Sequence, residues 1–372
     1  MSTEKVIYHY DETRLVPEPL TDAHLNDENP PVADVKAAFA NIETKGSHLA
    51  AWDAGKIPGL RYTGDPLNKG GYQNHFQGIQ RLRSGPYVVI SGGDVNEKMS
   101  HLFIFKMASR QNSAVWGSNL LESKKPPADD ALSKVIGIDP YLWHAGGISV
   151  LGDILAVPIE SSTTNSSKIV FFYLQDPENP QLFSKRIDRP DGKAGAVALT
   201  KLLNGYYLAA VWSDSDQHPR RLEFYLSEST NFFDGFRKDP WRWLASDVSA
   251  ASDHNPNFSN FQNINFINQQ DGKLFLLGTH NTSDAAPVVP GDDFGDLYEL
   301  SFPDSLFQQN PELSEPVISK VANKKFICKH EQCNLDAAAG VYIDTSGRLN
   351  VYGGFHFRLQ GLIRFSEYRS KT

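Results

Sequence analysis

Runs of four to seven apolar residues, each bounded by Gly, Asn, Asp or Ser, fill the chain from residue 72 onward and recur in one order. An apolar strand leads into a turn ending in Gly; a second apolar strand follows, then a polar gap, then a third strand rich in aromatics. The turn glycines are Gly85, Gly152, Gly205, Gly272 and Gly347, spaced 67, 53, 67 and 75 residues apart. The second strands read PYVVIS, DILAVPIE, YYLAAVW, KLFLLGTH and RLNVYGGFH, and the third strands HLFIFKM, KIVFFYL, RLEFYLS, DLYELSF and GLIRFSEY. β-Branched and aromatic runs between turn residues predict strands. No stretch between them has the length and 3.6-residue period of a long helix.

Self-similarity at blade-sized intervals predicts an all-β fold, a five-bladed β-propeller over residues 72–372. Residues 1–71 read as an N-terminal extension with one short helix-like stretch, Val35 to Ile42. The last blade lacks an outer strand, and KVIYHY at residues 5–10 is predicted to supply it, closing the ring and removing an exposed sheet edge. The other outer strands are expected near residues 114–120, 181–187, 241–248 and 316–321. A Pro/Asp/Gly-rich insertion at 282–295 interrupts the fourth blade as a candidate lid.

The segment FFYLQDPENPQLFSKR (171–186) resembles LVIVD-like meander blades, in which an aromatic third strand is followed by Asp-Pro-x-x-Pro and an outer strand. The resemblance covers most of residues 72–372 at the level of the β-propeller superfamily. It implies an architecture shared by glycan-processing hydrolases, tachylectin-type lectins and plant-type glutaminyl cyclases. An architecture of this kind hosts many functions and assigns none.

Topology narrows the search further. In a meandering blade, strand one begins and strand two ends on the same face of the disc. At the start of strand one stand His75 and Gln77, Trp143 and His144, Lys193, Asn260 with Gln262 and Asn263, and Asn334 with Asp336. At the end of strand two stand Asp94, Glu160, Trp212 and Asp214, His280 with Asn281, and His356. The opposite face offers only small turns: RSGP, LGD, LNG, QDG and TSG. His75 and His144 occupy equivalent places in successive blades, each three residues before a glycine, Gly78 and Gly147. Imidazoles brought together from adjacent blades can hold a metal ion or move a proton near neutral pH. His75, His144, Lys193, Glu160, Asp336 and His280 are therefore the catalytic candidates, with His75 and His144 the candidate ligands of one divalent metal ion. Gln77, Trp143, Trp212, Asp94, Asp214, Asn260, Gln262, Asn263 and His356 are the candidate ligand-binding residues.

Charge and composition trim the alternatives. A net charge of −8 lacks the basic footprint of a nucleic-acid binder, and no apolar run is long enough to cross a bilayer. The start MSTEKVIYHYDE has no apolar signal stretch and reads as cytoplasmic, with a secreted form left open. Cys328 and Cys333 form either a small disulfide loop or a pair of thiols. Nucleophile elbow, phosphate loop and HExxH motifs are all missing. A two-carboxylate glycosidase site is disfavoured, because His, Lys and Asn stand where acids are needed. The mouth residues differ from blade to blade, which suits one site for a small organic molecule or a glycan. The reading is a single-site enzyme of hydrolase, lyase or cyclase type; the alternative is a lectin-like or protein-interaction module.

Overall fold

The computed structural model describes residues 25–53, 74–94, 99–111, 116, 125–161, 163–215, 218–238, 241–244, 249–250, 258–282, 291–302, 316–328, 333–356 and 361–371. The fold is all-β, and the described strands fall into five successive antiparallel blades, the first and fifth joined by the single parallel bridges Gly78↔Ala339 and Trp52↔Ala131 into one closed sheet. The first runs outward from the axis through Asn74–Arg81, Tyr87–Asp94, Met99–Met107 and Asp130–Gly137. The second holds His144–Ala145 and Ser149–Leu151, then Ile154–Glu160 and Ser167–Tyr173, and a split outer edge of Gln181–Leu182 and Ile187–Arg189. The third is Ala196–Lys201, Tyr207–Ser215, His218–Leu226 and Trp241–Leu244. The fourth is Asn263–Asn268, Leu274–Asn281, Asp293–Ser301 and Val317–Phe326. The fifth is Ala338–Ile343, Leu349–Gly354, Leu362–Arg369 and, from the N-terminal extension, Ser47–Trp52. All five turn glycines have positive φ, between 58° and 143°, a conformation that side chains with a Cβ resist.

Alternating side chains weld each blade to both neighbours. Val88 and Ile90 face the fifth blade with Tyr352 and Phe365, whereas Tyr87 and Val89 face the second with Leu155 and Val157. Ile154 and Ala156 turn the other way, onto Tyr207 and Ala209 of the third blade. The third meets the fourth through Trp212, Phe224 and Phe266, and the fourth meets the fifth through Phe275, Leu277 and Val351. A period of two therefore serves two cores at once, and the ring of apolar interfaces closes. The short helix Val35–Ala40, capped by Asp34 accepting from Ala37 N at 3.0 Å, buries Val35 and Phe39 in the interface of blades four and five.

Two sequence-based expectations are corrected. The slot beside Leu362–Arg369 is filled by Ser47–Trp52, paired from Ser47↔Glu367 to Trp52↔Leu362. Residues 5–10 lie outside the described residues. Closure does come from the N-terminal extension, but SHLAAW carries its buried face on Leu49 and Ala51 and is a weak strand signal. The outer strand of the first blade is Asp130–Gly137, later than 114–120; Trp116 instead fills the interface of blades one and five.

The turn face is not the bare row of hairpins that the sequence suggests. Residues 25–32 run across it as a strap. Asn29 bonds Val150 O and Gly152 N, Asp27 accepts from Lys201 Nζ and Tyr207 OH, and Val32 pairs with the Asn268–Gln270 backbone.

Candidate functional site

Between the two faces the axis is nearly closed by backbone. Gly78 bridges Ala339, and Gly147 bridges Ala196. A Cβ on Gly147 would collide with Gln262 O, and one on Gly340 with Ile79 O. These glycines bring the inner strands together at the axis, behind the mouth on which strand one begins (the cup), so they serve the axis rather than a ligand.

On the rim of that cup, strand starts and ends converge as the topology requires. His144 pairs in register with Glu160, the last residue of the neighbouring strand. Its Nδ1 lies 3.2 Å from Glu160 Oε1, and its Nε2 lies 3.1 Å from His75 Nε2 of the first blade. The two imidazoles stack with centroids 5.1 Å apart, and Trp143 meets His144 edge-on at 5.8 Å. Glu160 Oε2 accepts the Ala194 N–H at 2.7 Å, and Lys193 Nζ donates to Ser161 O. Burial by itself would raise the Glu160 carboxyl. The hydrogen bond and charge of His144, the Ala194 amide and the Lys193 charge outweigh it, and the net direction is downward. An ionised Glu160 can only accept, so His144 Nδ1 donates to it, and in the 3.1 Å contact between the two Nε2 atoms one ring donates and the other accepts.

The Lys193–Ala194 segment is itself held from below. Arg189, 4% exposed, donates to Lys193 O and Ser213 Oγ, each at 2.7 Å, and to Tyr225 OH at 2.7 Å. It also pairs with Glu223, which Arg221 contacts at 2.6 Å. Sequence reasoning missed this support, and it missed the Ala194 amide. An amide has no identity in a sequence, and Arg189 lies on an outer strand where only the fold aims it inward.

The other candidates separate into different environments. His280 faces Asp296 at 3.4 Å, stacks on Phe294 at 5.6 Å and shares Asp296 with Lys320 at 2.8 Å, as part of a buried charge cluster in blade four. Asn281 donates to Asp293 at 2.9 Å. His356 is buried, 4.0 Å from Asp336, and desolvation lowers it to about 4. Asp336 is half-buried, its amide held by Asn334 Oδ1 at 2.8 Å. Asp214 is exposed, in an ion pair with Arg220 at 3.1 Å. The side chain of Asp94, and residues 283–290 of the proposed lid, lie outside what is described. Asn260 and Gln262 are half-buried at the start of the fourth blade, and Asn263 reaches across the axis to Ile148 O at 3.3 Å. Gln77 is buried at a bulge between Phe76 and Gly78. Trp212 must be corrected: at 1% exposure it packs on Phe258 and Phe261 in the core and presents no face to a ligand. Cys328 and Cys333 are joined as a disulfide, with Tyr368 OH 3.1 Å from each sulfur.

No family model matches the chain, and no curated protein does. Solved structures similar to it include a GH43 β-xylosidase/α-arabinofuranosidase from a compost microbial metagenome. It is 11% identical with a TM-score of 0.44, over 79% of this chain and 91% of that one. Another is the GH43 endo-arabinanase from Bacillus licheniformis, 12% identical with a TM-score of 0.41, over 78% and 92%. A third is a hypothetical protein from Leishmania major, 12% identical with a TM-score of 0.39, over 82% and 87%. Similarity this low is no guide to what the chain binds or does. Among the described residues, no helix is long and apolar enough to cross a membrane.

Proposed function

We propose that the chain is a single-site enzyme that uses the Glu160, His144 and His75 series for proton transfer on a small organic substrate held in the cup. The observation that carries this is the contact series itself. Glu160 accepts the Nδ1–H of His144, and the Nε2 on the far side of that ring lies 3.1 Å from His75 Nε2. A substrate hydroxyl or water that displaces one imidazole from the other meets an oriented base whose cation Glu160 stabilises. Lys193 and the Ala194 amide keep Glu160 ionised, and Trp143 gives the rim an apolar wall. A substrate would approach from the face on which His75, His144 and Glu160 stand, because the inner strands meet at the axis behind them.

A metal-assisted version is favoured by one observation: two Nε2 atoms face each other while a carboxylate holds the far nitrogen of one, as in many histidine metal sites. His75 and His144 would be the ligands, and the ion would supply a polarised water. The donor set is thin for it. Among the described residues no group of three His, Cys, Asp or Glu side chains converges, whereas catalytic zinc sites usually draw three ligands from the protein. The metal-free relay is therefore preferred.

The test is turnover of a panel of small glycosides, esters and amides, followed by mass spectrometry, with elemental analysis of untagged protein alongside. Turnover in the wild type that falls by roughly 10²–10⁴ in His144→Asn is the expected result. Stoichiometric metal lost in His75→Ala/His144→Ala would move the mechanism to the metal version. Saturable binding at the cup without turnover of any compound would make the protein a binding module.

A further inference from the structure

The end of the central channel opposite the cup holds a second polar site. The first inner strand, Asn74–Arg81, begins near His75 at the cup and ends at the turn face, where Arg81 and Arg83 stand. With Asn265, Val150 and Tyr342 they line a cavity under the N-terminal strap. Asn29 of the strap roofs it with its carboxamide already used, donating to Val150 O at 2.9 Å and accepting from Gly152 N at 3.1 Å.

Two groups in this cavity make no hydrogen bond among the described residues. Asn265 is 5% exposed and lies two residues after Asn263 on the same strand, so both side chains leave the same face toward the axis. Asn263 finds Ile148 O, but the Asn265 carboxamide has no hydrogen-bond partner among the described residues. Arg83 likewise has neither an ion pair nor a hydrogen bond among them. Arg81 is committed: Glu367 lies 3.6 Å away, and its guanidinium is sandwiched 4.0 Å from the Trp116 ring and 4.2 Å from that of Tyr342. The remaining charge nearby is Asp153, whose carboxyl burial pushes upward against the Asn26 hydrogen bond and the Arg83 charge. A carboxamide and a half-buried guanidinium whose hydrogen-bond donors are unused among the described residues, lining one cavity, offer donors to a bound anion.

We propose that the turn-face cavity binds a small oxyanion, a carboxylate or phosphate, with Arg83 supplying the charge and Asn265 the amide donor. Asn29 and the strap it belongs to would then form part of the ligand's wall. The site stands on the face away from His75 and His144 and does not depend on the chemistry assigned there.

The test is calorimetric titration of the full chain with inorganic phosphate and with acetate, paired with NMR of the Asn265 side-chain amide and the Arg83 Nε–H. Saturable binding that moves both resonances, and that weakens about tenfold or more in Arg83→Gln with unfolding temperature unchanged, is the expected result. Comparing the two anions tells a phosphate site from a carboxylate site. Absence of saturable binding at millimolar anion, or movement of neither resonance in the wild type, overturns the proposal, as does undiminished binding in Arg83→Gln.

Discussion

His75 and His144 come from different blades, 69 residues apart in the chain, and meet Nε2 to Nε2 at 3.1 Å. The contact exists because each residue starts an inner strand and the glycines behind them let those strands close on the axis. Only one nitrogen of a neutral pair can donate there, and Glu160 decides which. In ¹⁵N NMR, neutral His144 is expected as the Nδ1–H tautomer and His75 as the Nε2–H tautomer. Glu160→Gln is expected to release His144 from its single tautomer; an unchanged imidazole spectrum would contradict the role given to Glu160.

Acid should destabilise the fold through buried histidines. His101 and His356 are 6% and 7% exposed, and desolvation lowers each to about 4 from an ordinary value of 6.5. The folded state holds them neutral while the unfolded chain takes up protons, so stability is full above about pH 6.5 and declines down to about pH 4. Each shift corresponds to something on the order of 3 kcal/mol. Urea melts at pH 7 and pH 5 check this, and His356→Gln should shrink the difference. A pH-independent midpoint would refute it.

Arg189→Met should cost about 3–5 kcal/mol, because it strands Glu223 in the interior with Arg221 as its remaining cation. It also frees Lys193 O and Ser213 Oγ. Denaturant unfolding measures the first effect. The second should appear as an altered His144 imidazole spectrum, since the Lys193–Ala194 segment carries the amide that anchors Glu160.

Gly147→Ala should destabilise by about 1–3 kcal/mol or more. Its Cβ would run into Gln262 O and sit 2.7 Å from Asn263 Nδ2, a backbone and a fixed side chain that cannot swing away. A thermal melt equal to wild type would show that the inner strands are not in contact at the axis.

Reducing Cys328–Cys333 should lower stability by about 2 kcal/mol, the modest value for so short a loop. The midpoint in urea with and without dithiothreitol gives the number. Alkylation and mass measurement before reduction should find no free thiol.

Much of this was legible in the chain. Gly85, Gly152, Gly205, Gly272 and Gly347 announce hairpins because only a residue without a Cβ takes positive φ at no steric cost, and their spacing implies repeated blades. The period-two alternation of Val88, Val89 and Ile90 follows from strand geometry, so the two-sided packing of each blade was implied as well. Even the placing of His75, His144, Glu160 and Lys193 on one face follows from antiparallel connectivity. What the chain could not say is which of these rim groups touch. Trp212 and Trp143 look alike in sequence, yet one is buried against Phe258 and Phe261 and the other is half-buried, edge-on to His144. Ser47–Trp52 rather than residues 5–10 lies beside Leu362–Arg369, because pairing at a distance is decided by which face can be buried and not by local strand propensity. The Ala194 amide, the reach of Arg189 and the strap over the turn face are likewise properties of distance in space. Sequence alone determined the repeating unit and the face on which its polar ends gather; the tertiary structure decided partners, because hydrogen bonds and charges act over ångströms that the order of residues does not record.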